Sequence, residues 1–132
     1  FKGPVYLTAA GTEDGRLVGY FRCRSAVFED RAWFSGTRFA ESADFKNTRF
    51  TGPTTFKNAE FLMHVEFTGA HATNSLDLRG TRFAGATNLR FATLPESVPL
   101  NGNRMRSEMD FRLPDGWQRE DLSDGDCRIV VR

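Results

Sequence analysis

The sequence has few cysteines and histidines and almost no net charge. Its 132 residues include two cysteines, two histidines and five prolines, and 18 basic residues stand against 17 acidic ones for a net charge of +1. Cys23 and Cys127 are too few for a disulfide scaffold and lack the spacing of zinc ligands, so we expect free thiols in a reducing, cytoplasmic compartment. A near-neutral chain has neither the positive field of a nucleic-acid binder nor the negative field of a DNA mimic.

Long hydrophobic runs are missing as well. The sequence contains no stretch of about 18 apolar residues, so we predict no membrane span in this segment, and it contains no hydrophobic region of a signal peptide. A length of 132 residues fits a single domain. The chain begins with Phe1 instead of Met, so we expect it to be part of a longer protein.

Phenylalanine and glycine, by contrast, are abundant, with 13 and 12 residues. In "FKNTRFTGPTTFKNAEFLMHVEF" the phenylalanines fall at 45, 50, 56, 61 and 67, so steps of five and six residues alternate. A helix turns about 100° per residue and would scatter these rings around its axis, whereas a flat strand would divide them between its two faces. A β-solenoid, which turns a corner after every short segment, points all of them inward.

The same alternation continues from residue 28 to residue 111. The positions that it selects hold no charged or polar residue, and the position two before each of them is uncharged and mostly Ala or Thr. Strand alternation makes that second position point inward too. With Ala72 as a small exception, the predicted core consists of Phe28, Phe34, Phe39, Phe45, Phe50, Phe56, Phe61, Phe67, Leu78, Phe83, Leu89, Leu94, Leu100, Met105 and Phe111.

Glycines often follow these central residues by two positions. They are Gly36, Gly52, Gly69, Gly80, Gly85 and Gly102. We expect them to lie at corners of the coil, where the backbone needs angles that only glycine adopts freely.

The motifs "TRF", "ADF", "TTF" and "AEF" resemble those of the pentapeptide-repeat family, over residues 26–111. In that family each side of the coil has an inward Leu or Phe at its centre and a small residue two positions before it. The resemblance implies an all-β fold, a right-handed, four-sided β-helix, in the Phe-centred form that alternates five- and six-residue units. The motif thins from residue 94 onward, which leaves the regularity of the last coil open.

The length of one coil follows from the outward residues. A two-sided coil of 11 residues leaves no room for facing phenylalanines, because its width is about one sheet spacing of ~10 Å. A period of 22 places Asp44, Glu66, Asn88 and Asp110 in one outward column, and Arg38, Glu60, Arg82 and Arg104 in another. We therefore predict about four coils of 22 residues, each with four sides.

The two ends of a solenoid need caps. We predict an N-terminal cap over residues 1–24, either a hairpin or an irregular first coil, and the β-helix over 25–111. Residues 112–132 are predicted as a C-terminal cap, with a turn at Pro114-Asp115-Gly116, a lid in Trp117 and an apolar strand near the end.

No pattern in the sequence points to catalysis, a cofactor or a metal. His64 and His71 fall on different sides of the predicted coil and are expected at the surface. The acidic turn "EDLSDGD" lacks the spacing and final Glu of an EF-hand. The stacked carboxylates Asp44 and Glu66 share their face with Lys46, so mutual screening is expected instead of acid–base chemistry. Phe91, which lies off the repeat, is expected to be exposed, either as a contact residue for a partner or, as we favour, in packing against a cap.

These features favour a non-enzymatic interaction or scaffold module that binds a protein partner and no nucleic acid. A homodimer formed through a cap is a further option. The candidate partner surface is Arg38, Arg49, Arg82, Arg104 and Trp117. Two alternatives stay open. The resemblance implies topoisomerase binding by DNA mimicry for quinolone-resistance members, but residues 28–111 carry ten basic and ten acidic residues, which argues against an acidic rod. The other alternative is a small-molecule site at a cap.

Overall fold

The structure is a computed structural model that describes residues 20–131 fully, together with the backbone of two strands at 5–6 and 16–17. The described part of the chain contains strands and turns and no helix, and so no helix that is long and apolar enough to cross a membrane. The strands are β1 (Val5–Tyr6), β2 (Arg16–Leu17), β3 (Phe21–Arg22), β4 (Val27–Phe28), β5 (Ala32–Trp33), β6 (Arg38–Phe39), β7 (Ala43–Asp44), β8 (Arg49–Phe50), β9 (Pro53–Thr55), β10 (Glu60–Phe61), β11 (Val65–Glu66), β12 (His71–Ala72), β13 (Ser75–Asp77), β14 (Arg82–Phe83), β15 (Thr87–Asn88), β16 (Arg104–Arg106), β17 (Phe111–Arg112), β18 (Trp117–Asp121) and β19 (Asp126–Val131).

The strands form four sheets, which we call A to D in the order in which the chain visits them. Sheet A has the order β1-β5-β9-β13, sheet B β18-β19-β16-β14-β10-β6-β2, sheet C β17-β15-β11-β7-β3 and sheet D β12-β8-β4. Strands of successive coils pair in parallel, as Glu60 with Arg82 and Phe61 with Phe83. The chain is thus a β-solenoid of about 4 turns with coils about 22 residues apart, which confirms the predicted fold and period.

Two kinds of corner explain why units of five and six residues alternate. After Phe34, Phe45 and Phe56, the N–H three residues on donates to the carbonyl of the phenylalanine, at 3.2, 3.1 and 2.9 Å. The residue before that donor has a positive φ, as at Asn47 (59°) and Asn58 (60°). This is the geometry of a tight type II turn, and it closes the five-residue units. The six-residue units of the described coils turn without such a bond.

The corner glycines accordingly have two different roles. Gly36, Gly69, Gly80 and Gly102 have the predicted positive φ. Gly52 and Gly85 are not among the glycines with a positive φ. A Cβ on Gly52 would instead lie 2.5 Å from the backbone carbon of Asp30 in the coil below, so glycine is needed there for close packing of the coils.

The interior is filled by the predicted central residues. All of them are buried except Leu94 and Phe111, which are half-buried near the C-terminal end, where fewer coils lie above them. Rings of successive coils stack face to face, with centroids 4.9 Å apart for Phe34 and Phe56 and 4.7 Å apart for Phe39 and Phe61. Each stack follows the spacing of paired strands, so the regular backbone also aligns the side chains.

Buried threonines two positions before a centre tie neighbouring coils together. The hydroxyl of Thr48 donates to the Cys23 carbonyl at 2.6 Å, and that of Thr81 to the Phe56 carbonyl at 2.9 Å. These bonds satisfy both the hydroxyl and the carbonyl inside a dry core.

The last coil departs from the predicted period by two residues. Phe111 pairs with Thr87, not Leu89, and Arg112 pairs with Asn88. A turn closed by Met109 N–H and the Arg106 carbonyl, at 3.1 Å, inserts the extra residues. Phe111 therefore does not continue the column of Leu89, and Arg112 takes the outward place expected for Asp110.

The N-terminal strands extend the solenoid. Tyr6 pairs in parallel with Trp33, Leu17 with Phe39 and Phe21 with Ala43. This pairing is that of an irregular first coil and not of a hairpin, since each strand joins a different sheet. The rest of the first 19 residues lies outside the described chain, and the boundaries of the caps stay a prediction.

A β-hairpin at the other end covers sheet B. Strands β18 and β19 pair antiparallel, and β19 also pairs antiparallel with β16, with Met105 opposite Cys127. The side chain of Asn103 fixes the hairpin: its amide donates to the Ile129 carbonyl at 3.0 Å and its oxygen accepts from the Ile129 N–H at 2.8 Å. Cys127 is buried here and Cys23 is buried in the first coil, both as free thiols.

Candidate functional site

In the part of the chain that the structure describes, the outer faces and the C-terminal end are the surfaces open to contact with another molecule. The interior of the described coils is filled by buried, stacked side chains. In the described residues no group of three or more His, Cys, Asp or Glu side chains is placed to hold a metal ion. Recognition therefore depends on the charge, exposure and shape of the outer surfaces.

Three of the predicted partner arginines form one column on sheet B. Arg38 and Arg82 both pair in register with Glu60, and Arg82 pairs with Arg104. Most of this charge is neutralised locally, because Arg38 Nε lies 3.3 Å from a Glu60 oxygen and Arg104 lies 2.5 Å from Asp124. Hydrogen bonding by Arg104 lowers the pKa of Asp124 below its ordinary value, and the same bond raises the pKa of Arg104.

Arg49 does not belong to that surface, so the predicted cluster of four arginines is wrong. Arg49 lies on β8 in sheet D, in register between Val27 and His71. A step of 11 residues from Arg38 covers two sides of a four-sided coil and therefore reaches the opposite face. Arg49 is exposed there without the other arginines beside it.

Trp117 and Phe91 both pack against the core. Trp117 is half-buried on β18, opposite Val131, and packs against the core, as expected of a lid. The ring of Phe91 stacks on that of Phe67 with centroids 5.0 Å apart, and Phe91 too packs against the core. Packing, and not exposure to a partner, accounts for Phe91.

Sheet C carries a polar concavity with a volume of about 360 Å³. Asp44 and Glu66 are neighbours in its central column. Asp44 is only 6% exposed, its Oδ2 accepts from Arg24 Nε at 3.1 Å, and its Oδ1 accepts from the Lys46 N–H at 2.9 Å. Glu66 contacts His64 Nε2 at 3.2 Å and the Thr68 hydroxyl. Each carboxylate thus has its own partners, and Lys46, which the sequence predicted as a screening cation, contributes its backbone N–H.

The C-terminal end has an open groove of about 590 Å³. Its floor is the segment 97–103, which lies over β13 as the last layer on the side of sheet A without forming a strand itself, and its wall is the strand β19 from Arg128 to Val131. A second groove of about 370 Å³ adjoins it and includes Leu94, Glu96, Val98, Asp115 and Trp117. Sequence reasoning names Trp117 but misses the groove, since its shape depends on where β19 crosses the last coil.

Comparison with known proteins agrees with this architecture. A family model described as pentapeptide repeats (9 copies) matches residues 34–82 and, in an overlapping placement, residues 45–93. No curated protein and no solved structure gives a significant match. The repeat match and the four-sided stack of 22-residue coils agree, and the chain belongs to the pentapeptide-repeat family.

Proposed function

We propose that this chain is a non-enzymatic interaction module, a rigid cytoplasmic rod that holds a protein partner against its outside. The observation that carries the proposal is the filled interior: the central positions from Phe28 to Met105 are buried apart from Leu94, which leaves only outer surfaces for recognition. Pentapeptide-repeat solenoids are generally non-catalytic. In the coils whose paired positions are 22 residues apart, side chains also stand in fixed columns, which suits recognition by shape.

The faces differ enough for a partner to choose one. Sheet A exposes Trp33, sheet B exposes Arg82, Arg90 lies at the edge of sheet C, and sheet D exposes Arg49. An exposed Trp or Arg is the kind of residue that dominates protein–protein interfaces. These residues give one reporter on each side of the rod.

The test places a photo-crosslinking amino acid at each of these four positions and at Val131, one position per variant, in the full-length protein. Crosslinked partners are identified by mass spectrometry, and the purified pair is then titrated against alanine variants at the same positions. We expect one partner, crosslinks concentrated on one side, and a loss of affinity for the variants on that side alone. Crosslinking that is equal on all sides, or that fails to yield a binary complex, would overturn the proposal.

A further inference from the structure

The last layer of sheet A ends in backbone donors that have no acceptor in the described chain. In each lower coil the central residue of sheet A donates its N–H to the coil above: Phe34 to Thr55, Phe56 to Asp77 and Leu78 to Pro99, at 2.8, 2.9 and 3.0 Å. The corner residue two positions on does the same, from Gly80 to Asn101 at 2.8 Å. Leu100 and Gly102 occupy these two places in the last layer, and their N–H groups donate to nothing in residues 20–131.

The C-terminal hairpin leaves this edge uncovered. Strand β19 pairs with β16 on sheet B, and the side chain of Asn103 then holds Ile129 at the corner. Beyond that point Val130 and Val131 form the wall of the groove above segment 97–103. The edge of sheet B is thus closed by the chain itself, while the edge of sheet A faces an open groove of about 590 Å³.

We propose that this groove binds an extended peptide segment of a partner protein, which adds one parallel strand to sheet A. Such a strand would continue the spacing of ~4.8 Å between coils and place two of its carbonyls over the N–H groups of Leu100 and Gly102. This inference rests on the interaction role proposed above and assigns it a site and a class of ligand.

Apolar side chains around the groove select an apolar residue in the peptide. Val131 is 57% exposed, and Val98, Leu94 and Trp117 are half-buried at the junction of the two grooves. An apolar side chain placed between them would remove this surface from water.

The charges around the groove select a basic residue. Glu96 and Asp115 are exposed on the adjoining groove and form no ion pair within the described chain. The cation at the wall, Arg128, is already bound to Glu120, with Nε 2.8 Å from the carboxylate. Among the described residues that line the two grooves, the charge without an ion pair is therefore negative, and a Lys or Arg next to the apolar residue of the peptide complements it.

The first experiment uses a fluorescein-labelled octapeptide of alternating Val and Lys, and a matched peptide with Glu in place of Lys. Binding to the 132-residue chain is followed by fluorescence anisotropy, and amide hydrogen exchange is followed by NMR. We expect the Lys peptide to bind and to slow the exchange of the Leu100 and Gly102 N–H groups, with little binding of the Glu peptide. Absence of binding, or binding without protection of these two amides, would overturn the proposal.

Charge reversal supplies the matched control. The double variant Glu96→Lys/Asp115→Lys should weaken binding up to about tenfold, as expected for losing two exposed ion pairs. The double variant Glu29→Lys/Glu41→Lys changes the net charge equally at exposed sites far from the groove and should bind as the parent does. If both double variants weaken peptide binding equally, the attraction is non-specific and the proposal is wrong.

Two further outcomes separate this site from the proposed function. One such outcome is that, in the absence of peptide, the Leu100 and Gly102 N–H groups exchange more slowly as the protein concentration rises, with a dimer seen in light scattering. That result would show that a second copy of the chain occupies the groove, and it would overturn the peptide proposal. A natural partner whose affinity is unchanged by Glu96→Lys/Asp115→Lys but lost with a variant on one face would remove the groove as the site, while the interaction function would stand.

Discussion

The side-chain oxygen of Asn58 occupies the space in which Gly80, one coil further on, would carry a Cβ. Both residues hold positive φ, 60° and 68°, at the tight corner between sheets A and B. Asn58 and Gly80 thus form a matched pair: the asparagine can lean over the next coil because the residue there has no side chain. The same relationship joins Asn47 to Gly69 at the next tight corner, between sheets C and D.

Gly80→Ala should therefore destabilise the protein more than backbone strain alone explains. Gly125→Ala is the control, because Gly125 has φ of 90° and no atom lies within 4 Å of the place that its methyl group would take. We expect Gly125→Ala to lower the free energy of unfolding by about 1–2 kcal/mol, the cost of a left-handed backbone at alanine, and Gly80→Ala to lower it by more. In urea denaturation, Gly80→Ala should lower the free energy of unfolding less in the Asn58→Gly background than in the parent. If the effects of the two substitutions are fully additive, the contact between the two residues is contradicted.

Phe56 tests the inward columns. Its ring is fully buried and stacked on that of Phe34, whereas the neighbouring Lys57 is exposed. Phe56→Ala should cost about 3–5 kcal/mol, since it leaves a cavity in a close-packed core. Lys57→Ala should change the free energy of unfolding by no more than about 0.5 kcal/mol. The reverse ranking in thermal melts would show that the inward lattice is misassigned.

The coil length can be tested by deletion. Removing the 22 residues 45–66 joins Asp44 to Phe67, which stands one coil above Phe45 on the same side. Removing only residues 45–55 joins opposite sides and misplaces the cap. We expect the longer deletion to keep a β-type circular dichroism spectrum and a cooperative melt, and the shorter one to lose both. Similar melts for the two proteins would argue against four-sided coils.

Asp77 and Arg79 give the protein a defined response to acid. Partial burial would raise the pKa of Asp77, but hydrogen bonds and charge from Arg79 outweigh it and hold the pKa below its ordinary value of 3.8. Because the pKa of Asp77 is lower in the folded state than its ordinary value, the pair stabilises the fold fully at pH values above 3.8. This stabilisation is lost as the pH falls through the folded-state pKa.

Asp77→Asn should accordingly cost less than about 1 kcal/mol at pH 7, because the pair is partly exposed. The difference in unfolding free energy between Asp77→Asn and the parent should hold from pH 7 to 5 and shrink below pH 3.8. Asp115→Asn, which breaks no ion pair in the described chain, is the control. A difference that grows on acidification would refute this linkage.

Neither DNA nor a DNA-binding site on a topoisomerase should recognise this rod. Arg38 and Arg104 are bound to carboxylates, and Arg49 lies on the opposite face, so no strip of free cations on the described faces can contact several phosphates. The acidic column that mimicry needs is interrupted, because Asp44 is nearly buried against Arg24. We expect no DNA binding at physiological salt and no inhibition in a gyrase supercoiling assay; micromolar inhibition would revive the mimic hypothesis.

The sequence predicts the middle of the molecule better than its ends, for a physical reason. Phe56 and Phe61 are predictable because each coil packs on nearly identical neighbours, so local periodicity determines their direction. Phe111 is not, because its register is fixed by the turn after Arg106 and by the pairing of β16 with β19, a contact between distant segments that leaves no periodic trace.

The candidate surfaces show the same limit. Arg38, Arg82 and Arg104 share a column because they are separated by whole coils, whereas the assignment of Arg49 to them rests on an 11-residue step that reaches the opposite face. The groove over segment 97–103 depends on Asn103 holding Ile129. That clamp joins residues far apart in sequence, and nothing in the composition of either segment indicates it.

The bonds between coils also decide how the rod would yield to a mechanical load. The inter-coil N–H···O bonds, such as Phe45 to Glu66 and Phe67 to Asn88, lie along the axis, so tension applied at the two ends loads the layers in series. Each layer contacts only its neighbours, and the layer with the smallest interface gives way first. Under tension the molecule would therefore unfold one coil at a time and lengthen in steps, instead of unfolding in a single event.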